Sequence, residues 1–177
     1  MKKIVILLCI LALVGASMTA QVHKNMKGRD TAQTAVNIDT FQAYAIVNES
    51  GYALDVAGAP RNPGANIQLW ERNNSGAQVF RFIPAPDGTY YILNPYSGSF
   101  IDIENGHFTE GANIRSWETN SSIAQRFHIV NAGNGYVYIK TVQNNLYFSP
   151  QYSNPSKGHN VILWNNAGVC KWKLIRK

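Results

Sequence analysis

The chain has 177 residues, 16 Lys+Arg against 10 Asp+Glu for a formal charge of +6, 45% hydrophobic residues and two cysteines. The basic excess is mild and no Lys/Arg run accompanies it, which argues against a nucleic-acid surface. With Cys9 in the apolar leader, only Cys170 is left, so no internal disulfide is expected and the fold must hold by packing.

The chain opens "MKK", followed by an apolar run from Ile4 to Val14 and small residues ending at Ala20. That pattern predicts a secretory signal peptide over residues 1–20, too short to span a bilayer comfortably, cleaved after Ala20 or after Ala16. Cys9 lies too early for a lipidation site, so a soluble exported protein without membrane insertion is expected. Its loss removes Lys2 and Lys3 and lowers the charge from +6 to +4. Residues 21–40 lack apolar periodicity and turn chemistry and read as a flexible lead-in.

From Phe41 onward the chain repeats itself. "GANIQLWERN" starts at Gly64, "GANIRSWETN" at Gly111 and "GHNVILWNNA" at Gly158, each 47 positions after the last. The same offset aligns Tyr44, Tyr91 and Tyr138, then Leu54, Ile101 and Phe148, then Trp70, Trp117 and Trp164. Such a period marks a repeat architecture, with units at about 41–87, 88–134 and 135–177. Within the first unit the strands read "YAIVN", "YALDV", "NIQLW" and "QVFRFI", separated by turn residues. Four strands in each of three units predict twelve.

Gly51, Gly98 and Asn145 fall between the first two strands, where a tight hairpin needs positive φ. Gly64, Gly111 and Gly158 are assigned structural roles as well, and Asn66, Asn113 and Asn160 are read as closing turns through their amides. The last strands, "FRF", "FHI" and "WKL", place Phe80, Phe127 and Trp172 on an apolar face. Three such faces, related by a pseudo-threefold axis, would bury what one unit cannot.

The combination of "YAIVNESGYALDVAG", "GANIQLW" and the closing "AQVF" resembles the ricin B-type lectin repeat, with its Asp, its aromatic and its Gln-x-Trp box. The resemblance covers all three units and implies an all-β fold, the β-trefoil, with six strands in a short barrel and six in a hairpin cap. The box appears as Gln78-Val79-Phe80 and Gln125-Arg126-Phe127, but as Cys170-Lys171-Trp172 in the third copy.

The resemblance also implies sites. Binding a hexose in water calls for a carboxylate or amide on adjacent hydroxyls and an aromatic ring on the apolar C–H face. Asp55 stands 15 residues before Trp70 and Asp102 stands 15 before Trp117, and the family places such pairs across a shallow pocket. The third copy has Ser149 before Trp164 and is expected to be weak or dead. Strand phase puts Gln68 with Trp70 and Arg115 with Trp117, away from Ile67 and Leu69. The alternative is that the Trp residues cover the barrel and the Asp residues close turns. The Asn that the family places before the box Gln is replaced by Ala77 and Ala124, so the missing contact falls to Gln68, Arg115, Asn73 or Asn120. Gln78 and Gln125 either hold backbone or touch ligand.

No acid/base pair, nucleophile motif or His spacing for a metal is evident, so neither catalysis nor a cofactor is expected. The expected function is a secreted lectin for galactose-like or related glycans, bound through the first and second units. The rivals are a non-catalytic interaction protein, such as a protease inhibitor, and the cell-binding subunit of a larger toxin or enzyme complex.

Overall fold

The computed structural model describes residues 36–169 and 171–177. The stretch read as a signal peptide, Cys170 and most of the lead-in lie outside them. The described residues form an all-β fold with twelve strands: β1 (Tyr44–Asn48), β2 (Ala53–Val56), β3 (Ile67–Trp70), β4 (Arg81–Pro84), β5 (Tyr90–Asn94), β6 (Ser99–Ile103), β7 (Ile114–Trp117), β8 (Phe127–Gly133), β9 (Tyr136–Thr141), β10 (Tyr147–Pro150), β11 (Val161–Trp164) and β12 (Lys171–Arg176).

Six strands follow one another antiparallel in the order β1, β12, β9, β8, β5, β4. The path does not close as a ladder. At the last joint β1 meets the start of β4 only through Tyr44 and Phe80, whose backbones exchange bonds of 2.8 and 2.9 Å. The other six strands form three hairpins, β2 with β3, β6 with β7 and β10 with β11. Gly51 (φ 88°), Gly98 (φ 74°) and Asn145 (φ 52°) occupy the left-handed region that the turns before β2, β6 and β10 require.

The three hairpins interlock cyclically. The Gly64 N–H donates to the Ser116 carbonyl at 2.7 Å, Gly111 to Leu163 at 2.8 Å and Gly158 to Leu69 at 2.8 Å. Each carbonyl lies in the third strand of another unit, and the bonds return from Ser116, Leu163 and Leu69 to Ala65, Ala112 and His159. The three repeat asparagines, expected to close turns, bridge units instead. The Asn66 amide donates to Asn160 Oδ1 at 2.8 Å and the Asn160 amide to Asn113 Oδ1 at 2.9 Å. The cycle breaks at Asn113, which donates to Glu104 Oε2 at 3.1 Å.

Phe80, Phe127 and Trp172 are fully buried, as are Leu54, Ile101 and Phe148. Phe127 meets Phe148 edge-on at 4.8 Å. Trp172 reaches the core with its polar edge satisfied, its indole N–H donating to the Phe148 carbonyl at 3.0 Å. The lead-in expected to stay flexible through Thr40 enters the described residues at Val36 and packs there: Ile38 is buried and Val36 rests against the same core. The Asp39 N–H lies 3.1 Å from the Tyr44 hydroxyl, which donates to the Asp39 carbonyl at 3.2 Å.

Candidate functional site

Hairpin register brings the chemistry together. Antiparallel pairing sets Asp55 opposite Gln68 and Ala53 opposite Trp70. In the second unit Asp102 faces Arg115 and Phe100 faces Trp117. In the third, Ser149 faces Ile162 and Tyr147 faces Trp164. Because side chains alternate along a strand, β3 and β7 bury Ile67, Leu69, Ile114 and Ser116 and leave Gln68, Trp70, Arg115 and Trp117 partly exposed.

In the first unit both oxygens of Asp55 accept amide bonds, Oδ1 from Gln68 Nε2 and Oδ2 from Gln78 Nε2, each at 3.0 Å. Gln78 is 1% exposed and works as a bracket. Its amide also donates to the Glu71 carbonyl at 2.8 Å, and its oxygen accepts the Asn73 N–H at 3.1 Å. Asn73 Oδ1 in turn accepts the Ser75 N–H at 3.0 Å. The loop before β4 is thereby tied to the carboxylate. Beside it lies a hollow of about 290 Å³, with Asp55, Gln68, Trp70 and Asn73 on its polar side and Val56, Ala59 and Ala77 among its apolar walls.

The second unit repeats the bracket. Gln125 donates to Asp102 Oδ2 at 3.1 Å and to the Glu118 carbonyl at 2.8 Å, and it accepts the Asn120 N–H at 3.2 Å. The place of Gln68 is taken by a guanidinium. Arg115 Nε donates to Asp102 Oδ1 at 3.1 Å, its Nη1 reaches Glu104 Oε1 at 3.4 Å, and its Cζ lies 3.9 Å from the centre of the Trp117 ring. The hollow of about 240 Å³ on this unit is walled by Glu104, His107, Glu110 and Asn113, among others, but by neither Asp102 nor Trp117. Burial raises the Asp102 carboxyl above its ordinary range, and the neighbouring Glu104 charge adds to the rise. The Arg115 and Gln125 bonds pull the other way and offset only part of it.

In the third unit Ser149 is buried and donates to the adjacent Pro150 carbonyl at 3.0 Å, while Trp164 is 38% exposed. That copy presents an aromatic without a carboxylate. Two residues escaped the sequence reading. Glu104 stands where the other units have Ala57 and Gln151, a difference visible at the 47-residue offset. Lys157, whose ammonium lies 4.5 Å from the centre of the Trp70 ring, comes from another unit and carried no local signal. Among the described residues, no group of three His, Cys, Asp or Glu is placed to hold a metal ion.

Residues 31–117 match the model of a family described as ricin-type beta-trefoil lectin domain-like. Among solved structures, the designed threefold-symmetric protein ThreeFoil is 28% identical, with a TM-score of 0.72 over 75% of this chain and 97% of its own. The Rhizoctonia solani agglutinin is similar at 22% identity and a TM-score of 0.71, covering 81% of this chain and all of that one. A Macrolepiota procera ricin B-like lectin, solved in complex with lactose, aligns at 20% identity and a TM-score of 0.68, over 80% of this chain and 100% of its own. No curated protein sequence matches this one.

Proposed function

The chain carries a ricin-type β-trefoil lectin-like domain, and on that premise we propose that it is an exported, non-catalytic lectin that binds galactose-like or related glycans in the hollow between Asp55 and Trp70. The observation that carries this reading is the pairing of a bracketed carboxylate with an indole around one hollow. A carboxylate has about four acceptor positions, and the two amide bonds to Asp55 leave room for two hydroxyl donors. Trp70 supplies a ring for the apolar face of a sugar, and Gln68 and Asn73 bring further amides to the same walls.

Both carboxylate oxygens are already held, so the acceptor is oriented before ligand arrives and loses little freedom on binding. A shallow site of this kind is expected to bind at roughly millimolar strength, about 4 kcal/mol.

A glycan-array screen followed by titration calorimetry tests the reading. Asp55→Ala should remove about 2 to 3 kcal/mol, which erases most of a millimolar site, without unfolding the protein. Ser149→Ala should leave binding unchanged. If Asp55→Ala binds as the parent does, the pocket is wrongly placed. If the parent binds no glycan at all, the protein-interaction reading replaces this one.

A further inference from the structure

We infer that Arg115 closes the second unit's pocket from within, so that the domain presents one working Asp/Trp site rather than the two its repeats suggest. The inference rests on reading the Asp55–Trp70 hollow as a glycan site, and it concerns the equivalent place around Asp102 and Trp117.

Three contacts put the guanidinium where a sugar would have to lie. Its Nε donates to Oδ1 of Asp102 at 3.1 Å, as the Gln68 amide does to Oδ1 of Asp55 at 3.0 Å. Its Cζ lies over Trp117, 3.9 Å from the ring centre. Its Nη1 is then drawn to Glu104 at 3.4 Å, a carboxylate that the first unit replaces with Ala57. The cation therefore takes up both the aromatic face and part of the acceptor that a hexose would need.

The first unit has a cation near its indole too, and the comparison decides between them. Lys157 lies 4.5 Å from the Trp70 ring centre and pairs with Glu71 at 3.2 Å, but the two side chains are 46% and 65% exposed. An exposed pair of that kind contributes little and gives way readily. The Arg115 and Asp102 side chains are 15% and 3% exposed. Breaking a pair that has lost its water leaves an uncompensated buried charge, which is costly. Moving Lys157 aside returns an ammonium to solvent, whereas moving Arg115 aside strands Asp102.

Glu104 is the second half of the device. It also accepts the Asn113 amide at 3.1 Å, the bond at which the asparagine cycle is broken. The residue that interrupts the asparagine cycle is the one that anchors the arginine. An anionic sugar would not be recruited in compensation, because Asp102 and Glu104 together outweigh the single positive charge.

The experiment is NMR on the isotope-labelled full chain, with lactose as the probe, following the indole N–H signals of Trp70 and Trp117 and the Nε–H signal of Arg115. In the parent the Arg115 signal should be protected from exchange and shifted by the Trp117 ring, and lactose should move Trp70 but not Trp117. In Arg115→Gln, and in the double variant Arg115→Gln with Glu104→Ala, both indoles should respond. The second site should strengthen about tenfold or more, the usual scale for removing competition from a charge-assisted bond. Parent Trp117 responding in step with Trp70 would overturn the inference, and so would a Trp117 that stays silent in both folded variants. If lactose moves neither indole in the parent, the galactose reading fails. The Arg115 signal then decides closure alone: a rapidly exchanging, unshifted Nε–H means the arginine does not cover the ring.

Discussion

Ser116 puts a hydroxyl where the core pattern calls for an apolar side chain. It occupies the place of Leu69 and Leu163, is fully buried, and its hydroxyl finds no hydrogen-bond partner among the described residues. A desolvated hydroxyl left unpaired is a cost, so Ser116→Ala should stabilise the protein by about 1 kcal/mol in chemical denaturation. A loss of stability would mean that a water satisfies the hydroxyl. Asp102 makes a prediction about pH. Its folded-state carboxyl holds its proton above the ordinary value of 3.8 because burial outweighs the bonds from Arg115 and Gln125. A raised carboxyl contributes stability that is present below the unfolded value and lost as pH rises through the folded one. Asp102→Asn removes that dependence, so the difference in melting temperature, variant minus parent, should grow as pH rises from about 4 to about 7. A difference that stays flat or falls would show that the Arg115 bond dominates. Asp55 and Trp70 were legible as a pair because two residue types at one spacing recur at a fixed offset. The contact of Arg115 with Glu104 and with the Trp117 ring was not, since a list of residues shows the charges but not which one comes to lie over the indole.

At the scale of elements, the hairpin turns were read from Gly and Asn alone, because positive φ is a property of the residue and needs no tertiary help. Gly111 allows that cost to be isolated. Its φ is 81°, and a side-chain carbon built there meets nothing within 4 Å. Gly111→Ala should therefore cost about 1 to 2 kcal/mol from backbone strain alone, measured by denaturation, with glycan binding retained. The stretch from Val36 to Thr40 behaves oppositely. It has no alternation to betray it, yet Ile38 is buried beside the core and Tyr44 pins Asp39. Ile38→Ala should cost about 2 kcal/mol or more. Unchanged thermal stability would mean that this stretch lies on the domain without supporting it.

For the whole molecule, stability is concentrated where the three units meet. Phe127 is fully buried and contacts Phe148 of the next unit edge-on, so Phe127→Ala should cost about 3 to 5 kcal/mol. A near-neutral result in denaturant titration would place the wrong face of β8 inside. The cyclic bonds from Gly64, Gly111 and Gly158 to the neighbouring third strands explain why a unit too small to fold alone is stable in a set of three.

Repeat period, strand count, hairpin turns and the identity of the inward aromatics were determined by the sequence itself, because each follows from local conformational preference or from alternation along a strand. Tertiary structure decided the rest. The asparagines bridge units, the box glutamines brace the loops, Ile38 joins the core, and Arg115 lies against both Asp102 and the Trp117 ring. Each of these outcomes depends on which groups from distant segments become neighbours once water is excluded, and desolvation gives such neighbours an energy that no residue carries alone.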